Sequence, residues 1–265
     1  MSTTPENLEA NGLMLGAPPG ALRDTTHGID GTLDFERPAY PFGHRLKNCS
    51  IGAFCYFNAA GRTSAYRVRF GRYAQIGESS IIAPPEHLQT GFSNHPFAFT
   101  RPSLMPNMYR LPDFAALAPE DSDAPSYVDT VNNETVVGHE VYLGAGSFVR
   151  RGVTIGDGAL IGARSVVTRD IPPYAVAVGS PARILRLRFA EHLVERLLAL
   201  QWWRYDLARF KHTLDFTRME PTLEALEQLL AEGQLPLLKP DSFRLTRAAG
   251  GELSLRALPK PLFFS

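Results

Sequence analysis

Residues 134–170 read ETVVGHEVYLGAGSFVRRGVTIGDGALIGARSVVTRD, and an aliphatic residue falls on every sixth position: Val137, Leu143, Val149, Ile155, Ile161 and Val167, with Val131 one step upstream. Two residues before each of the six stands a small or β-branched one: Thr135, Val141, Ser147, Val153, Ala159 and Ser165. Gly138, Gly144, Gly156 and Gly162 follow four of the aliphatic positions, whereas Asn132, Arg150 and Thr168 break that rule. The three exceptions are eighteen residues apart, so the full repeat is three hexapeptides with one side unlike the other two.

A period of six fits neither the 3.6-residue helix nor the two-residue alternation of a strand. So many glycines and β-branched residues would also weaken a helix. Three short strands and three turns per eighteen residues predict a triangular parallel β-helix, an all-β core. The aliphatic residues stack inside, and glycine gives the backbone its freedom at the corners. The same phase runs upstream through Ile51, Phe57, Phe70, Ile76 and Ile82, with Cys49, Cys55, Val68, Ala74 and Ser80 at the small positions. Cys49 and Cys55 therefore read as prism interior rather than as a disulfide or metal pair.

Between residues 84 and 126 the repeat vanishes in a stretch rich in Pro, Phe and Met. A structureless insertion of that length in a compact domain is usually functional, and its aromatic content calls for something to pack against. The organisation expected is an N-terminal arm over 1–45, the β-helix over 46–188 with the 84–126 insertion, and a C-terminal extension over 189–265. In the extension the apolar spacing predicts one helix over 189–210, a second over 221–232, and a strand in GELSLRAL, 251–258.

Lys plus Arg and Asp plus Glu are equal at 27 each. Overall charge thus makes no electrostatic case for a nucleic-acid or anionic-membrane partner. The N-terminal MSTTPENLEANG has neither the basic start nor the apolar stretch of a signal peptide. No apolar run approaches the roughly 20 residues of a membrane span. A cytoplasmic protein without a membrane span is expected.

The quoted run, continued through IPPYAVAVGSPARILRLRF (171–189) and QWWRYDL (201–207), resembles the left-handed β-helix hexapeptide-repeat acyltransferases. Within them it is most similar to the xenobiotic branch, which holds streptogramin and chloramphenicol acetyltransferases and polysaccharide O-acetyltransferases. The likeness covers roughly residues 50–98 and 127–206. It implies a left-handed coil, acetyl-CoA as donor, a homotrimer with active sites between subunits, and no metal.

The insertion opens with EHLQTGFSNHPF, 86–97. That family carries a histidine at this place, followed nine residues later by Pro-Phe, and His87 precedes Pro96-Phe97 by the same distance. The resemblance makes His87 the general base. An acceptor hydroxyl must lose its proton as it attacks a thioester, and a neutral imidazole, with a reference pKa of about 6.5, can take it for about 10²–10⁴-fold in rate. Glu86, Asn94, His95 and Phe97 are implied acceptor-binding residues. Glu86 stands where the family has Asn, and Thr90-Gly91 where it has Asp-Trp. Whether Glu86 or a backbone carbonyl orients the ring stays open.

Along the later coils, Tyr142, Gly144, Ala145, Gly162 and Ala163 are implied to hold the pantetheine arm. Arg164, Arg169, Arg183 and Arg186 are implied for the nucleotide phosphates, which suit planar multidentate donors. Hexapeptide-repeat carbonic anhydrases bind zinc through three histidines, but His87, His95 and His139 do not reproduce their spacing. The activity expected is direct transfer of acetyl from acetyl-CoA to a hydroxyl of a sugar, glycan precursor or xenobiotic. The alternatives are N-acylation of an amino sugar and a non-catalytic trimeric scaffold.

Overall fold

The computed structural model describes residues 3–14, 28–41, 43–58, 62–87, 89–100, 102–105, 107–120 and 134–263. Val131 and Asn132 lie outside them. Contacts divide the chain into two units: Met1–Ala83 with Thr135–Ser265, and Pro84–Glu134.

The first unit is a left-handed parallel β-helix. One wall stacks Tyr56–Phe57, Gln75–Ile76, Tyr142–Leu143, Leu160–Ile161 and Ala175–Gly179 in parallel. A second stacks Val68–Phe70, Thr135–Val137 and Thr154–Ile155. A third stacks Ser64–Tyr66, Ile81–Ile82, Phe148–Val149 and Val166–Val167. The longer strand Arg45–Ile51 joins the second and third walls, pairing with Ser64–Tyr66 through its first half and with Val68–Phe70 through its second.

Register follows the eighteen-residue repeat: Leu143 pairs with Ile161 and Val149 with Val167. It also survives the insertion, since Phe70 pairs with Val137 and Ile82 with Val149. All six periodic aliphatic residues from Val137 to Val167 are closed to solvent, each stabilising the fold by about 1.5–3 kcal/mol through burial. The hydroxyls at the small positions are tolerated because they bond locally: Ser147 Oγ donates to Gly144 O at 2.6 Å and Ser80 Oγ to Gly77 O at 2.9 Å. Cys49 and Cys55 are buried and unbridged. Burial pushes the Cys49 thiol up to about 12 and raises Cys55 further.

The repeat glycines serve a different purpose from the one expected. Gly144 does not have positive φ. A Cβ there would come within 3.0 Å of the Ala163 backbone on the next coil, and the same holds at Gly77 against Ala145. Close approach of successive coils excludes a side chain. The left-handed corner conformation sits two residues on, as at Gly146 with φ 70°.

Residues 29–36, within the stretch expected as an N-terminal arm, form the strand Ile29–Glu36. It runs parallel to Arg45–Ile51 on one side and antiparallel to Ser242–Arg247 on the other. Ser242–Arg247 in turn pairs with Leu253–Leu258, the C-terminal strand that was expected. The hexapeptide phase does not extend to Ile29–Glu36, whose buried Ile29, Leu33 and Phe35 alternate around an irregularity between Asp30 and Leu33. The open edge of Arg45–Ile51 is thereby paired rather than bare.

In the extension, Glu191–Leu200 and Met219–Ala231 are helices sharing a core with Tyr174. The first stops well short of residue 210. Gln201 adopts φ 48° and its N–H donates to Leu197 O, after which Trp202–Arg204 and Leu207–Phe210 are short 3₁₀ turns. Trp203 is buried by this break and its carbonyl accepts from Arg72 Nη1 at 3.2 Å. No helix among the described residues is long and apolar enough to cross a membrane.

The second unit carries short helical turns at Pro96–Ala98, Pro102–Leu104, Met108–Arg110 and Pro112–Ala115.

Candidate active site

His87 lies four residues beyond the last residue of the first unit before the insertion. Its Nδ1 is 2.7 Å from the backbone carbonyl of Asn94. A carbonyl oxygen can only accept, so Nδ1 carries the hydrogen and Nε2 is the basic nitrogen of the neutral ring. The ring also meets buried Phe99 edge-on at 6.1 Å. Glu86, His87 and Asn94 line an open depression together with Gly91 and Phe92. The Phe92 ring is fully exposed there.

His95 and Phe97 are not part of that depression. His95 opens the Pro96–Ala98 turn: its Nδ1 accepts from Phe97 N at 3.3 Å, while its own N–H donates to Ser93 Oγ at 3.1 Å. It thus acts as an N-cap.

Of the residues assigned to coenzyme A, Tyr142 is exposed on the first wall, in register with Leu160 and then Val176. Arg186 pairs with Val176 and Arg183 with Val178 on the strand Ala182–Leu187, which extends the same wall. Gly144, Ala145, Gly162, Ala163 and Arg164 follow that wall at one corner of successive coils, where Arg164 N–H donates to Ala145 O at 2.9 Å. The N–H groups of Gly144 and Gly162 are used between coils, donating to Ile161 O and Ala177 O. Arg164, Arg183 and Arg186 are exposed. Arg169 stands apart from them, after Val166–Val167 of another wall.

His139 has a structural setting. Its Nδ1 accepts from Arg72 N at 3.0 Å, and its ring stacks on Trp203 at 5.0 Å and 6°. Its own N–H donates to Asp157 Oδ1 at 2.7 Å. Burial, together with the Arg72 and Arg69 cations, pushes the imidazole down to about 3, so it is neutral. The carbonyl that holds His87 and the partners of His139 left no sequence signal, because neither contact follows a spacing rule.

The family profile described as bacterial transferase hexapeptide (six repeats) matches residues 134–169. A chloramphenicol acetyltransferase of Agrobacterium fabrum is 33% identical over 175 residues, 65% of this chain and 73% of that one. Another, of Klebsiella aerogenes, is 29% identical over 172 residues, with the same shares of 65% and 73%. A galactoside O-acetyltransferase of Escherichia coli is 50% identical over 50 residues, 19% of this chain and 25% of that one. The chain belongs to the hexapeptide-repeat acetyltransferases. It is a CoA-dependent acyltransferase.

Proposed function

We propose that the chain transfers the acetyl group of acetyl-CoA directly to a hydroxyl of a sugar, glycan precursor or small xenobiotic, with His87 as general base. The observation that carries this reading is the 2.7 Å bond between His87 Nδ1 and Asn94 O. It holds the ring in the tautomer whose Nε2 can accept a proton. Acetyl-CoA supplies the acetyl group as a thioester. His87 Nε2 takes the proton of the attacking hydroxyl and returns it to the departing thiolate, so the products are an ester and the free thiol. Glu86 and Asn94, beside His87 in the depression, contact the acceptor. Tyr142, Gly144, Ala145, Gly162 and Ala163 flank the pantetheine, and Arg164, Arg183 and Arg186 meet the nucleotide phosphates. The names of the relatives, for chloramphenicol and for galactosides, support a hydroxyl acceptor.

The enzyme works in the cytoplasm as a homotrimer; Ile184 and Leu185, exposed on the strand Ala182–Leu187, offer apolar surface for subunit contact. The decisive experiment measures thiol release from acetyl-CoA against a panel of sugar, aminosugar and chloramphenicol-like acceptors, for wild type and His87→Ala. Turnover that survives in the variant removes His87 from the mechanism. Turnover confined to amino acceptors replaces O- with N-transfer.

A further inference from the structure

The C-terminal extension does not close fully on the prism. Within the first unit a cavity of about 650 Å³ remains between them, in the range of small-molecule sites, about 300–1,000 Å³. Its lining shares no residue with the His87 depression.

One side of the cavity is a corner of the prism. Phe54, Tyr73, Glu140, Gly158 and Tyr174 succeed one another there on adjacent coils, each N–H after the first bonding to the coil before. All five have positive φ, from 55° at Tyr174 to 69° at Gly158. That conformation suits glycine and is unfavourable for a bulky aromatic. Phe54 does not recover the difference by burial, since it stays 37% exposed. Its ring stacks on Tyr73 at 4.9 Å and 13°, and Tyr73 meets Trp202 at 4.9 Å. At Phe54 the cost of that conformation is not offset by burial, and its ring lines the cavity beside Tyr73 and Trp202, which points to a ligand.

The helices of the extension contribute Leu197, Leu223 and Leu226. Three of the charges in the lining are already satisfied. Arg188 is bidentate with Glu140 and also donates to Gly158 O at 2.7 Å. Asp206 accepts from Ala208 N at 3.2 Å and pairs with Arg209. Lys211 is exposed and has no ion-pair partner among the described residues. The buried hydroxyl of Tyr174 has Trp202 nearby, but no described group meets it in hydrogen-bonding geometry.

We propose that this cavity binds a small aromatic or alicyclic molecule carrying one acidic group, its rings against Phe54, Tyr73 and Trp202 and its charge towards Lys211. Such a ligand gives the extension a function separate from acetyl transfer at His87.

The test uses anilinonaphthalene sulfonate as an acidic aromatic probe and N-phenylnaphthylamine as a neutral one. Binding is followed by probe fluorescence, by quenching of Trp202 and Trp203, and by calorimetric stoichiometry on the native full chain. One sulfonate probe per chain is expected. Phe54→Gly relieves the left-handed corner while removing a ring, so the chain stays folded and affinity falls roughly tenfold. Leu226→Trp fills the cavity and weakens both probes. Lys211→Glu weakens the sulfonate about threefold and leaves the neutral probe unchanged. The proposal is overturned if the native chain shows no saturable binding, or if binding is indifferent to both Phe54→Gly and Leu226→Trp. Equal response of the two probes to Lys211→Glu overturns the acidic group.

Discussion

Arg72 and Glu36 form an ion pair closed to solvent: Arg72 Nε lies 2.6 Å from Glu36 Oε2, and Nη2 lies 2.9 Å from Oε1. The pair joins five segments of the chain. Glu36 ends the strand Ile29–Glu36 and accepts from Ala53 N at 3.2 Å and Leu262 N at 2.9 Å. Arg72 belongs to a coil corner and reaches Trp203 O. Removing one partner leaves a buried charge without its counterpart, which costs about 3–5 kcal/mol. Arg72→Met should therefore lower unfolding free energy by about that amount in urea. Adding Glu36→Leu should recover only part of it, because the Ala53 and Leu262 N–H groups lose their acceptor. Full recovery in the double variant would contradict the role given to those N–H groups.

His139 makes stability depend on pH in a stated direction. Its folded pKa, about 3, lies below the roughly 6.5 of an unfolded histidine. Between the two values the unfolded chain binds more protons, so acidification favours unfolding. The contribution is complete above about pH 6.5 and is lost progressively as pH falls towards 3. Glu140 and Asp157, both raised by burial, act in the opposite sense at the acidic end. His139→Gln keeps an acceptor for Arg72 N but cannot titrate. Denaturation midpoints from pH 7 to 4 should fall less steeply in the variant, and parallel curves would discard this explanation.

The steric reading of the repeat glycines separates two substitutions of the same kind. Gly146→Ala places a methyl in a left-handed corner where the nearest atom, Arg164 Cγ, is 3.4 Å away, and should cost about 1–2 kcal/mol. Gly144→Ala drives its methyl into the Ala163 backbone and should cost about 3 kcal/mol or more. Thermal melts of the two variants decide it; the reverse order would restore backbone freedom as the reason for glycine at position 144.

His87 and His95 should behave differently in kinetics. His87→Ala is expected to lower kcat by about 10²–10⁴-fold with acetyl-CoA KM little changed. His95→Ala removes an N-cap worth about 1 kcal/mol to a local turn, so its kcat should fall far less. Comparable losses in the two variants would argue for a shared role.

The repeat was legible because it is written in one-dimensional spacing. Every coil meets the next through equivalent residues, so a period of eighteen carries strand register, the interior positions of Cys49 and Cys55, and the place where the insertion leaves the prism. His87 was singled out by its resemblance to the family, nine residues before Pro96-Phe97, and its role as general base is a proposal. Contacts without a period required the folded chain. The Asn94 carbonyl beside His87, the strand Ile29–Glu36 and the end of the helix at Gln201 are set by hydrogen bonds and burial between segments with no fixed separation. Glu36 and Arg72 are each ordinary charged residues in the sequence. Only tertiary packing, by removing both from water at hydrogen-bonding distance, makes them the joint between the two ends of the chain.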